Sequence, residues 1–86
     1  MKLIKLECKK DFSKDNIQFE RGQFYIAQII NGKGGNKLKI YKRTDKHIIA
    51  RGQQYIEDKF NFNTLLLADT AKERNKFIRH IERVGA

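Results

Sequence analysis

The chain has 86 residues and a net charge of +9, which indicates one domain with a thin core and an excess of cations that attracts acidic partners. Its 40% hydrophobic residues and six Phe exclude a disordered chain, and its single cysteine excludes an internal disulfide. The N-terminal segment lacks the apolar region of a signal peptide, and no apolar run reaches the roughly 18 residues of a membrane span. No cluster of Cys and His has zinc spacing. We therefore expect a cytoplasmic protein that has no membrane segment and binds no metal or cofactor.

Alternating or continuous apolar positions predict about five short strands. These are residues 2–12, 17–20, 24–30, 37–43 and 47–50. The run 24–30 is apolar at nearly every position, which is typical of a central strand covered on both faces. Asn31–Asn36 supplies the Asn-Gly and Gly-Gly pairs of a hairpin tip. No Gly-Lys-Ser/Thr or helix follows it, so we expect a turn that presents Lys33 rather than a phosphate-binding loop.

The first strand carries the single cysteine. Ile4, Leu6 and Cys8 alternate with charged residues and share one face. Cys8 is therefore predicted to be a small core residue. A reactive thiol, activated by the neighbouring Lys9 and Lys10, is the alternative.

The segment between the strands and the C-terminal helix is harder to interpret. Gln53 to Phe62 has apolar residues at uneven spacing and predicts a short strand followed by an irregular connection. Residues 64–68 fit either a last strand or an early helical turn. The hexapeptide Arg21–Ile26 recurs in similar form as Arg51–Ile56, which predicts that one bulge-then-strand device is used twice.

One helix is predicted over residues 69–85. Thr70 and Glu73 form a capping-box signature, and Gly85 fits the position just past the helix end. An apolar face has helical spacing and consists of Phe77, Ile78, Ile81 and Val84. We expect this face to close the small core, which makes binding to an anionic membrane the weaker use of the helix.

Residues 19–27, with the sequence FERGQFYIA, follow the strand end Lys9–Phe12. This stretch resembles short SH3-like proteins of bacteriophages and prophages, in which a first strand leads to an aromatic, Lys or Arg, Gly and Tyr corner and then to a hairpin. The resemblance covers residues 1–56 and implies a fold but no functional residues. Such phage proteins often have no known activity, and some of this size block host enzymes or defence systems, so the resemblance supports the fold more than any function.

We therefore predict a single α+β, mainly β, domain over residues 1–86. It is expected to be a small, partly open SH3-like antiparallel barrel of about five strands, formed by residues 1–62. The C-terminal helix packs on this barrel. The basic charge and the long helix depart from the family pattern.

The strand at 37–43 is predicted to carry the main functional surface. Its outward face combines Tyr41 with three cations, Lys37, Lys39 and Arg43, and Lys33 lies at the adjacent hairpin tip. Cations that neutralise phosphates and an aromatic ring that stacks on a base are the elements of a single-strand-binding platform. The alternative is an edge strand protected from aggregation by its lysines.

The helix carries a second basic feature. Lys72, Lys76, Arg79 and Arg83 recur at helical spacing opposite the apolar face. Like charges four residues apart destabilise a helix by about 0.2–0.5 kcal/mol per pair, so stability alone does not favour this stripe. An ordinary solvated face is the alternative.

These features predict a non-enzymatic protein that binds nucleic acid, DNA or RNA, through backbone contacts and aromatic stacking. The alternative is a phage-type inhibitor that binds an acidic surface of a host protein. Catalysis finds no support, because Ser13 lies in a turn without a neighbouring His, and neither His47 nor His80 has a motif around it.

Overall fold

The computed structural model describes residues 1–84, with Val84 by its backbone alone. Within this range the elements follow the order β1 (Lys2–Cys8), β2 (Phe12–Lys14), β3 (Ile17–Phe19), β4 (Phe24–Gly32), β5 (Gly35–Arg43), β6 (Lys46–Arg51), α1 (Gln53–Lys59), β7 (Phe60–Leu67) and α2 (Ala71–Val84).

Five strands form one antiparallel sheet with the order β6-β5-β4-β1-β7, and β2 and β3 form a separate hairpin. The strand β4 lies in the middle of the sheet, as its apolar run predicts. Within the described residues the two edge strands, β6 and β7, form no ladder with each other, so the sheet remains open. A small, mainly β domain with a five-stranded antiparallel sheet is thereby confirmed.

The sheet is covered on both faces. The face covered by α2, called the helix face below, carries a core of Leu3, Ile26, Tyr41, Ala68, Ile78 and Ile81. The opposite face, called the hairpin face, is covered by the β2–β3 hairpin and α1. Its core consists of Leu6, Cys8, Phe19, Tyr25, Ala27, Leu38, Ile40, Ile48, Ala50, Ile56 and Phe60. Alternation along β4 supplies both cores, because Tyr25 and Ala27 face one way and Ile26 the other.

The predicted strand after residue 53 is wrong, because residues Gln53–Lys59 form α1. Gly52 has a φ of 86°, which turns the chain away from the sheet, and Gln53 Nε2 donates to Glu57 Oε1 across one helical turn at 2.9 Å. Only Ile56 is buried, so the uneven apolar spacing reflects a short helix with one anchor. The two copies of the repeated hexapeptide share a turn at their glycine, since Gly22 has a φ of 85°. The elements after the turns differ, because the strand β4 follows Gly22 and the helix α1 follows Gly52.

Residues 64–67 form the end of strand β7, so the β-sheet extends to Leu67 rather than stopping at residue 62, and Ala68 follows the strand. The capping box is confirmed in a modified form. Thr70 Oγ1 accepts from the amide of Glu73 at 3.2 Å, and Glu73 Oε2 accepts from the amide of Asp69 at 3.0 Å. The apolar helix face is confirmed for Ile78 and Ile81. The predicted contributions of the Val84 side chain and of Gly85 lie outside the described residues.

Candidate nucleic-acid interface

Tyr41 is buried beneath α2, which corrects the predicted stacking platform. Only 2% of the residue is exposed, and it packs in the core that contains Ile78 and Ile81. Alternation predicted its face correctly, but that face is the helix face. Leu3 and Ile26 on the same face need apolar cover, so α2 lies where a nucleic-acid base was expected.

Two cations instead lie against the buried ring of Tyr41. Lys39 Nζ lies 5.4 Å from the centroid of the Tyr41 ring, and Arg74 Cζ lies 4.8 Å from it. Both distances are within the range of cation–π attraction. The ring therefore joins one cation from β5 with one from α2 at a single place on the helix face.

Cations also face one another across the ladder between β5 and β6. Lys37 stands opposite Arg51, and Arg43 stands opposite Lys46. Directly opposed side chains share a face of the sheet, and like charges in such positions destabilise it. We call the six residues that line this region the basic cluster: Lys37, Lys39, Arg43, Lys46, Arg51 and Arg74.

A groove opens at the hairpin tip, where β4 turns into β5. Its volume is about 190 Å³, and three cations line it: Lys33, Lys37 and Arg51. The rest of the lining is Gly32, Gly34, Gly35, Asn36 and Gly52, with no carboxylate. Glycines leave the backbone accessible at close range, so this tip groove has the charge and the composition to receive a phosphate group.

The cations of this region are free of ion pairs. Among residues 1–84, ion pairs within 4.0 Å form only where Lys10 and Lys59 contact Asp58. The basic cluster, Lys33 and the helix stripe therefore lack a carboxylate partner within that range. The pKa of His47 is lowered, first by desolvation and then by the charges of Lys39 and Arg74.

The four predicted helix cations are exposed: Lys72, Lys76, Arg79 and Arg83. Because Ile78 and Ile81 face the sheet, helix geometry directs this stripe away from it. Glu82 lines one groove together with Tyr41 and Arg43, and Arg79 precedes Glu82 by one turn on the same side. Arg79 therefore lies beside Glu82 on the helix surface, and the stripe as a whole faces outward from the helix face.

Three cations of this interface were not predicted from the sequence as site residues: Lys46, Arg51 and Arg74. The register of the β5–β6 hairpin, set by the short turn before Lys46, aligns Arg51 with Lys37. Arg74 lies four residues before Ile78, which is helical spacing toward the buried face. Both signals were present in the sequence.

Comparisons with protein-family models, with curated proteins and with solved structures each return no match. Neither helix in residues 1–84 has the length and apolar character to cross a bilayer. The described residues contain no group of three or more His, Cys, Asp or Glu side chains placed to hold a metal ion.

The cysteine is structural. Cys8 is 2% exposed, and its Sγ donates to the carbonyl oxygen of Lys10 at 3.0 Å. Burial raises its pKa, which opposes the activation that Lys9 and Lys10 were considered to provide. The prediction of a small core residue is confirmed.

Proposed function

We propose that this protein is a non-enzymatic nucleic-acid-binding protein that holds the phosphate backbone without reading base sequence. The observation that carries the proposal is the tip groove, where Lys33, Lys37 and Arg51 surround glycine backbone with no carboxylate. Phosphate oxygens between these cations would offset the repulsion that the Lys37–Arg51 pair otherwise imposes on the sheet.

The basic cluster extends this site into a track. From the tip groove the cations continue along β5 and β6 to Arg43 and Lys46. Midway along this path, Lys39 and Arg74 both lie against the ring of Tyr41. The outward stripe on α2 supplies further phosphate contacts on the same side. Because Tyr41 is buried, base stacking on it is not part of the proposal. Binding through phosphates alone carries little sequence preference.

We also propose that the open five-stranded sheet, with its hairpin and its short helix before β7, is a partly open SH3-like barrel of the phage type. The resemblance of residues 19–27 and the packing of Phe19 support this. The Phe19 ring lies 5.2 Å from Phe12 and 4.9 Å from Tyr25, so the FERGQFY corner organises the hairpin-face core. A cytoplasmic setting fits the free thiol of Cys8.

The proposal is tested with fluorescently labelled single-stranded DNA, single-stranded RNA and duplex DNA of mixed sequence. If about six phosphates are neutralised, log affinity falls against log salt with a slope near −4 to −5. The triple variant Lys33→Ala/Lys37→Ala/Arg51→Ala is expected to lose at least about tenfold in affinity, since each lost phosphate contact removes a released counterion.

The matched control is Lys2→Ala/Lys9→Ala/Arg21→Ala, which removes the same charge from exposed positions outside the basic cluster and leaves the ion pairs of Asp58 in place. Affinity that ignores salt, or an equal loss in both triple variants, would contradict the proposal. A pull-down from host lysate with and without nuclease separates the alternative function. One stoichiometric acidic protein that survives nuclease would identify an inhibitor that docks on a host protein.

A further inference from the structure

The strand β7, one of the two edge strands of the sheet, exposes an apolar surface. The exposed fractions of Phe62, Leu65 and Leu67 are 59%, 63% and 71%. In the ladder with β1 these side chains stand opposite Leu6, Ile4 and Lys2, whereas Leu66 stands opposite Leu3 of the helix-face core. The three exposed side chains therefore project together on the hairpin face. Their exposed surface is on the order of 400 Å², as large as the biggest apolar patch of many monomers.

The two edges of the sheet are treated differently. On β6, Lys46 and Arg51 lie at the strand ends, and Lys14 Nζ donates to the free carbonyl of Ile49 at 2.6 Å. Such charges and contacts protect an edge from pairing with another chain. The sequence of β7, FNFNTLLL, contains no charge of either sign and no proline. In a chain of net charge +9, an uncharged apolar edge is a surface suited to pairing.

We propose that β7 is the contact surface of a homodimer, in which the β7 strands of two copies pair antiparallel about a twofold axis. The free backbone groups of both edges would then complete one continuous sheet. A contact of this kind is isologous, because each copy offers the same patch to the other.

The irregularity in β7 suits this pairing. The ladder with β1 shifts register where Lys5 pairs with Thr64 and Leu6 with Phe62, which leaves Asn63 as the extra residue. Phe62 and Leu65 consequently share a face although they are three residues apart. In the proposed antiparallel register, Phe62 of one copy stands opposite Leu65 of the other. Both side chains, together with Leu67, then lie on one side of the joined sheet.

A second copy fits this edge better than an acidic partner does. The cations that would attract an acidic protein lie in the basic cluster, and β7 offers no charge to complement one. With its polar rim the paired edge would bury on the order of 1,200 Å² in total, at the lower limit of stable specific interfaces. Half-buried Ile4 and Ile29, which line one groove with Phe62, add apolar contact.

Sedimentation velocity of the full chain from about 10 µM to 1 mM tests the dimer, because association depends on protein concentration. The wild type is expected to reach the mass of two chains, and Leu65→Lys to raise the dimer dissociation constant at least tenfold. His47→Lys, which also places a lysine at an exposed position of the other edge strand β6, is the control and is expected to leave the dimer intact. A single-chain mass for the wild type throughout, or an unchanged dimer in Leu65→Lys, would overturn the proposal.

Hydrogen exchange on the wild type provides a second measurement that needs no variant. Amides of β7 that are not bonded to β1 are expected to exchange more slowly as protein concentration rises, and exchange at β6 to stay constant. Added salt screens the repulsion between two copies of charge +9, so the dimer is expected to strengthen as salt rises. Nucleic-acid binding weakens with salt, so the two proposals fail independently. Concentration-independent exchange at β7 would exclude the dimer.

Discussion

Lys37 on β5 stands directly opposite Arg51 on β6, and both side chains line the groove at the hairpin tip. Opposed cations of this kind weaken a sheet, yet no carboxylate within residues 1–84 pairs with either one. The arrangement is costly for the free protein and useful for a protein that holds an anion.

The substitution Arg51→Glu separates these two effects. It converts a repulsive cross-strand pair into an attractive one, so the free energy of unfolding is expected to rise by about 0.2–1 kcal/mol. Nucleic-acid affinity is expected to fall at the same time. Urea denaturation and anisotropy titration measure the two quantities. Lys2→Glu, on the hairpin face, makes the same charge change and should lower affinity less. A variant that binds as well as the wild type would remove Arg51 from the interface.

Tyr41 provides a test of the corrected site. Its hydroxyl is buried without a hydrogen-bond partner among residues 1–84, and an unpaired buried polar group costs about 1–3 kcal/mol. Tyr41→Phe is therefore expected to keep or increase stability in urea and to leave binding unchanged. Tyr41→Leu keeps an apolar filling but removes the ring that holds Lys39 and Arg74, so its affinity should fall. Marked destabilisation by Tyr41→Phe would show that the hydroxyl has a partner.

Stability is expected to decline at alkaline pH. Burial raises the pKa of Cys8 above its ordinary value of 9.0 and also raises the pKa of Tyr25 above 10.0. As pH rises, the unfolded chain therefore loses these protons at a lower pH than the folded chain does. The free energy of unfolding is highest below pH 9 and falls as the pH rises toward and through the folded-state pKa values. Unfolding free energies measured from pH 7 to 11 check this. Cys8→Ala is expected to make the decline shallower, and an identical slope in this variant would rule out the thiol as a contributor.

The turn before α1 depends on a glycine. Gly52 has a φ of 86°, and residues other than glycine pay about 1–2 kcal/mol in this region of conformational space. Gly52→Ala is therefore expected to lower the unfolding free energy by about that amount. Gly34 at the hairpin tip has no positive φ and no atom within 4 Å of an added Cβ, so Gly34→Ala is the control and should be close to neutral. Equal effects of the two substitutions would contradict the assignment.

Much of the β-sheet was predictable because its signals are local. The alternation of Leu38 and Ile40 with cations identified β5, and the Asn-Gly and Gly-Gly pairs identified its hairpin. The helix α1 was missed because only Ile56 anchors it, so it has no apolar periodicity to detect. This helix has seven residues and one buried side chain, so packing against the core stabilises it more than any amphipathic pattern of its own does.

The burial of Tyr41 was not predictable from β5 alone. The pattern assigns Tyr41 to the face of Lys37 and Lys39, but whether that face meets water depends on where a helix thirty residues later packs. The apolar stripe of α2 had two possible destinations, the open end of a barrel and the outer face of the sheet. Only the three-dimensional arrangement of Leu3, Ile26 and Leu66 distinguishes them.

The scarcity of ion pairs has one more consequence. Among residues 1–84 the ion pairs within 4.0 Å all involve Asp58, so folding brings the cations of the basic cluster together without a carboxylate partner in that range. Compaction therefore proceeds against mutual repulsion, and any polyanion that binds the native state relieves it. Heparin or polyphosphate should act on this protein as a chemical chaperone, raising its melting temperature although neither carries a base.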